Sequence, residues 1–150
     1  MVKESFISKY KFPLWFTGII LLILLLDQLM KHFILTLNQN WNFKILTIHL
    51  VKNTGAGFGI FQNQTLFLGI ISAVAALLIL FNYQKIDKNY FTQILFAVLL
   101  GGVLGNMIDR FFRSFVVDFI DFGWWPAFNL ADACISISII GLIIWYWRKE

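Results

Sequence analysis

Apolar residues dominate four stretches of this chain, and polar residues gather in the gaps between them. A helix needs about 20 mostly apolar residues to cross a bilayer. The stretches 14–33, 66–83, 91–108 and 130–147 meet or nearly meet that length, and each is predicted to be a membrane-spanning helix. Two gaps are long, 34–65 and 109–129, and the one near residues 83–91 is short. Residues 42–51 are rich in β-formers with partial alternation, which predicts short strands. Asn53-Thr54-Gly55-Ala56-Gly57 then reads as a turn. The fold class is therefore an all-α membrane protein of four transmembrane helices, with a small sheet over residues 41–61 on the membrane surface.

Composition agrees with this pattern. The 150 residues are 59% hydrophobic and 13% charged, with a mean hydropathy of +0.77, too apolar for an ordinary soluble domain. One domain over residues 1–150 is the simplest organisation. The first stretch follows Lys3, Lys9 and Lys11, yet its apolar core is too long for a signal peptide and no small-residue cleavage site follows. It is read as a retained helix.

The net charge of +4 reflects flanking Lys and Arg, and no nucleic-acid partner is expected. Lys3, Lys9, Lys11, Lys85, Lys88, Arg148 and Lys149 crowd short flanks, whereas the long gaps hold only Lys44, Lys52, Arg110 and Arg113. That bias puts both termini in the cytoplasm and both long loops outside a cell membrane. The single cysteine, Cys134, excludes an internal disulfide and reads as a small buried hydrophobe.

The candidate chemistry lies in the acidic residues. Asp118 falls in the second long loop and Asp132 at the start of the fourth helix. Carboxylates near membrane depth are costly and are read first as functional. The blander reading makes Asp132 a charge favoured by a helix N-terminus and Asp118 a solvated loop group. Taken together, with Asn129 three residues before Asp132, they read as a general acid/base pair able to activate water. Asp27 and Lys31 are spaced to pair on the first helix, and Asp27 could equally meet Arg110 across the bundle. Asp109 and Arg110 end the third helix and point to different faces. A charge network fixing the outer end of the bundle is the favoured reading of these four. Gly101 and Gly105 form a small-x-x-x-small packing pair. Trp124, Trp125, Trp145 and Trp147 suit interfacial belts. Zinc, P-loop and serine-hydrolase motifs are absent, so no metal or organic cofactor is expected. The rival reading is a small transporter or proton relay through Asp27, Lys31 and Asp109, but the polar residues crowd at the outer end.

These residues are also where the chain resembles the bacterial lipoprotein signal peptidases (signal peptidase II), a family of four-helix membrane aspartic proteases. Five motifs carry the resemblance in order: Asp27-Gln28-x-x-Lys31, Asn53-Thr54-Gly55-Ala56-Gly57-Phe58-Gly59, Gly101-Gly102-x-x-Gly105-Asn106-x-Ile108-Asp109-Arg110, Val116-Val117-Asp118-Phe119 and Phe128-Asn129-x-Ala131-Asp132. The resemblance implies that Asp118 and Asp132 are the catalytic pair. It implies that Asn53, Gly55, Asn106, Asp109, Arg110 and Asn129 shape and support the site, with Asp27 and Lys31 as the first-helix polar pair. It further implies an extracytoplasmic β-cradle, prolipoprotein substrates carrying a diacylglyceryl-cysteine, contact with membrane lipids, cleavage just before that cysteine, and inhibition by globomycin. A monomer is expected. The sequence departs from the family pattern at Gly57, where alanine is commoner, and at Ser114, where glycine is usual. A left-handed backbone at 114 would suit glycine better than serine.

Overall fold

The computed structural model describes residues 6–37, 39–57 and 60–149, with side chains described from residue 12 onward. Lys3, Phe58, Gly59 and the side chains of Lys9 and Lys11 lie outside the described residues.

Four helices and three strands follow the apolar pattern. They are α1 (Phe6–Leu37), β1 (Trp41–Asn42), β2 (Thr47–Asn53), α2 (Thr65–Phe81), α3 (Tyr90–Phe112), β3 (Val116–Asp121) and α4 (Leu130–Trp147). Three helices, α1, α3 and α4, are long and apolar enough to cross a membrane, and α2 is an apolar helix of 17 residues. Asn89 starts α3 by accepting from Thr92 N at 2.9 Å, which satisfies one otherwise unpaired helix donor.

Helix α3 lies against α1, α2 and α4, and half of its apolar window is buried, against 11% for α1. Its glycines permit that central position. A Cβ on Gly101 would meet Ile23 of α1 at 2.9 Å, one on Gly105 would meet Asp27 Oδ2 at 2.6 Å, and one on Gly102 would meet Ala131 O of α4 at 2.7 Å. The expected Gly101 and Gly105 pair thus faces α1, and Gly102 opens the same helix to α4. The outward faces stay apolar: Leu21, Leu25, Ile70, Val74, Ile140 and Ile143 are all exposed.

The strands form one antiparallel sheet in the order β1-β2-β3, with Val51 opposite Asp118 and Asn53 opposite Val116. It packs on the end of α1 through Ile34, Val117 and Phe119.

Boundaries differ from the sequence reading: α1, expected over 14–33, runs from Phe6 to Leu37, and α3, expected over 91–108 with Asp109 and Arg110 at its end, continues to Phe112. Asp109 and Arg110 therefore sit inside the helix. Asp109 finds buried partners there, so the helix has no need to end where the apolar run ends. Asp118, expected in a loop, lies in β3. Residues 116–119 are buried on both faces, so the strand shows no alternation of polar and apolar residues.

Candidate active site

Strand β3 and the first turn of α4 bring Asp118 and Asp132 to one place. Asp118 is 1% exposed. Its Oδ2 accepts from Asn53 Nδ2 at 2.9 Å and its Oδ1 from Asn129 Nδ2 at 2.6 Å. Asp132 Oδ1 accepts from Asn106 Nδ2 at 2.7 Å, and its Oδ2 from the Asn129 backbone N–H at 3.2 Å. Asn129 returns the contact, because its Oδ1 accepts from Asp132 N at 2.9 Å. That reciprocal pair is a capping box at the start of α4. Asp132 is thus a helix-start residue as well as a site residue, so the two readings open in the sequence are compatible.

Burial pushes the Asp118 carboxyl up to about 7, and the neighbouring Asp132 charge adds to the rise. The amide donors of Asn53 and Asn129, and the more distant Lys31, act in the opposite direction. Two carboxyls this close resist joint ionisation and titrate as a pair.

The pair opens on two cavities. Asp132, Arg110, Val116 and Ser136 line one of about 450 Å³, and Asp118, Lys52 and Gln62 line another of about 210 Å³. Asn53, Ala56 and Pro126 border both. Arg110 reaches Ser72 Oγ at 3.4 Å and Gly55 O at 3.5 Å, and its buried Nε has no hydrogen-bond partner among the described residues. Its guanidinium therefore has donor capacity left beside Asp132. Gly55 N donates to Asn53 Oδ1 at 2.9 Å, which aims the Asn53 amide at Asp118. A Cβ on Gly55 would lie 2.7 Å from Ile60 O, so the turn needs glycine.

Behind the pair lies a second polar cluster. Lys31 and its partners Asp27 and Asp109 are fully buried. Lys31 Nζ lies 2.8 Å from Asp27 Oδ2, 3.1 Å from Asp109 Oδ2 and 2.9 Å from Asn106 Oδ1. Asp27 meets Lys31, and Arg110 turns away from both to line the cavity. The same two carboxylates also hold the elements that carry the first pair. Asp109 Oδ2 accepts from Val117 N at 3.0 Å, next to Asp118, and Asp27 Oδ1 from Ala131 N at 3.1 Å, next to Asp132.

Two members of this cluster had no assigned role in the sequence reading. Gln28 donates to Asp27, Gly105 O and Asp109, and Arg113 binds both Asp109 and Gln28. The i,i+4 spacing of Asp109 and Arg113 was the available signal for Arg113.

The arrangement defines a class: a bundle of apolar helices with a surface sheet and a carboxyl pair set between cavities, as in a multi-pass membrane enzyme. Two solved bacterial membrane enzyme structures, both determined by the in meso method, share the fold. One superposes with a TM-score of 0.83 at 29% identity, covering 99% of this chain and 93% of that one. The other gives 0.80 at 29%, covering 100% and 99%. The family model for signal peptidase (SPase) II matches residues 19–148. The lipoprotein signal peptidase of Halothermothrix orenii is 34% identical over 137 residues, 88% of this chain and 94% of the relative. That of Syntrophomonas wolfei is 40% identical over 135 residues, 86% and 90%. The chain belongs to the signal peptidase II family.

Proposed function

We propose that this chain removes the signal peptide from prolipoproteins whose lipobox cysteine carries diacylglycerol, cutting just before that cysteine, with Asp118 and Asp132 as the catalytic pair. The observation that carries the reading is the pair itself: two carboxyls joined through Asn129, each bordering a cavity.

Asp118 holds the shared proton at rest, in keeping with a carboxyl pushed up to about 7 by burial and by Asp132. Asp132 is ionised, supported by Asn106 and the start of α4. It takes a proton from water, and the hydroxide formed attacks the scissile carbonyl. Asp118 protonates the carbonyl oxygen. In the collapse of the tetrahedral intermediate one of its hydroxyls returns a proton to Asp118 as the C=O re-forms, the C–N bond breaks, and the proton held by Asp132 passes to the departing amine of the lipidated cysteine. Arg110 and Asn53 hold peptide carbonyls near the pair. The mainly apolar cavity wall beside Asp132, which includes Val116 and Ile137, takes acyl chains.

The single domain crosses a cell membrane four times, with both termini in the cytoplasm and the site near the outer face. Helix α2 is the short span, about 26 Å at 1.5 Å per residue, close to the thickness of a hydrocarbon core. The protein acts as a monomer among membrane lipids.

The test is a gel-shift assay on purified protein in detergent, with a diacylglyceryl-modified prolipoprotein and its unlipidated form. Loss of the signal peptide from the lipidated form alone, blocked by globomycin, is the expected result. Failure to cleave several lipidated substrates by well-folded protein would overturn the reading.

A further inference from the structure

Lys31 contacts neither of the two carboxyls, yet it faces both through side-chain amides. Its Nζ donates to Asn106 Oδ1 at 2.9 Å, and Asn106 Nδ2 donates to Asp132 at 2.7 Å. Asn129 Nδ2 donates to the same Asn106 oxygen at 3.2 Å and to Asp118 at 2.6 Å. An ammonium group has no lone pair, so whatever faces it must be an acceptor. A carboxamide has one oxygen end and one N–H₂ end. Once the Asn106 oxygen is committed to Lys31, its N–H₂ must point at Asp132. Asn129 is fixed independently, because its oxygen accepts from Asp132 N in the helix cap.

We propose that Lys31 is a positioning residue that sets the direction of this amide chain, so that Asp118 and Asp132 are each met by an N–H donor. The inference rests on the catalytic reading of that pair and adds to it a reason why one member stays ionised. With Lys31 gone, the Asn106 oxygen keeps only the longer 3.2 Å contact from Asn129 Nδ2, and the amide can turn that oxygen toward Asp132. Oxygen facing oxygen is tolerated only if Asp132 carries a proton, and a protonated Asp132 is no base. The groups around the pair limit the alternatives. Arg110 faces Asp132 from α3, Asn53 faces Asp118 from β2, and Asp27 and Asp109 lie beyond Lys31. Only Lys31 and Asn129 touch the Asn106 oxygen among the described residues.

Removing Lys31 alone leaves Asp27 and Asp109 facing each other across a lost cation. The test therefore uses the charge-balanced variant Asp27→Asn/Lys31→Met, together with Asn106→Leu and the triple combination. The readout is a pH titration of the carboxyl pair by infrared spectroscopy on substrate-free protein. The pH–rate profile of cleavage is followed alongside. Direction-setting by Lys31 predicts that the paired variant and Asn106→Leu each raise the pair's lower titration step by about one pH unit, roughly the worth of one charged hydrogen bond. The acid limb of cleavage moves with it. It also predicts that the triple variant shifts no further than Asn106→Leu, because Lys31 acts through Asn106. An unmoved titration in Asn106→Leu would overturn the proposal even if the paired variant failed to fold. Additive shifts in the triple variant would do the same, since they would mean that Lys31 acts directly through its charge. Wild-type protein that titrates as described but cleaves nothing would instead remove the functional reading and leave the positioning role standing.

Discussion

Asp27 and Asp109 on one side of the Asn106–Asn129 amides, and Asp118 and Asp132 on the other, are the same side chain in two surroundings. The first two are fully buried around a lysine ammonium, with the Arg113 guanidinium against Asp109. They also take the backbone N–H groups of Ala131 (on Asp27) and Val117 (on Asp109). The second two have amide donors and each other, border cavities, and have no cation in direct contact among the described residues. A carboxylate matched by a cation serves as a bracket. A carboxyl matched only by neutral donors, beside another carboxyl, is left with a proton to trade. The clusters are also coupled in space, because the bracket grips residues 117 and 131, the neighbours of 118 and 132.

The largest effect that separates the two clusters is chemical. Asp118→Asn and Asp132→Asn are each expected to lower kcat by about 10²- to 10⁴-fold, while the melting temperature in detergent stays level or rises. A large drop in melting temperature for either variant would place it with the bracket instead. The reverse signature is expected for Lys31→Met, which leaves Asp27 without its cation. Thermal or denaturant unfolding should show a loss of about 3–5 kcal/mol, with any fall in cleavage following from it. Gly105→Ala is a gentler probe of the same cluster. Its Cβ would stand 2.6 Å from Asp27 Oδ2, so the ion pair must shift. A destabilisation of about 1–3 kcal/mol is expected from the same unfolding measurement. The smallest effect concerns the turn that leads from α3 into β3. Ser114 sits there at φ 62°, in the left-handed region. Ser114→Gly should raise stability by up to about 1 kcal/mol and leave cleavage unaltered. A loss of stability would show that the serine hydroxyl contributes more than the strain removes.

That turn shows what a sequence can disclose. The glycine usual at 114 in the family suits a left-handed backbone, and Ser114 adopts one. At Gly57, the other departure, a Cβ would meet nothing within 4 Å among the described residues, so alanine fits them as well. The helices were legible because an apolar run of bilayer length has few other readings. Strand β3 was not legible, because Val116-Val117-Asp118-Phe119 is buried on both faces and the strand is short. The residues around the site were recognised as a set, but their pairing was not. Spacing alone left Asp27 open to Lys31 or Arg110, and only the packing of α3 on α1 through Gly101 and Gly105 decides for Lys31. Gln28 entered only as a member of a motif and Arg113 only as a loop charge, without a role for either. Their partners come from across the bundle, at separations of 81 and 85 residues.

The central claim is that Asp118 and Asp132, the amide-held carboxyls, share the proton that cleavage uses. A pH–rate profile for cleavage, taken beside an infrared titration of the carboxyl band, tests it most directly. Asp118 is pushed up to about 7 by burial and Asp132, so above that pH the pair loses its shared proton and with it the general acid. The account predicts that cleavage falls about tenfold per pH unit on the alkaline side of about 7. It also predicts that the protonated carboxyl band fades over the same range and is missing from Asp118→Asn. A rate that stays level from about pH 6 to about pH 9, or a band that survives in Asp118→Asn, would contradict it.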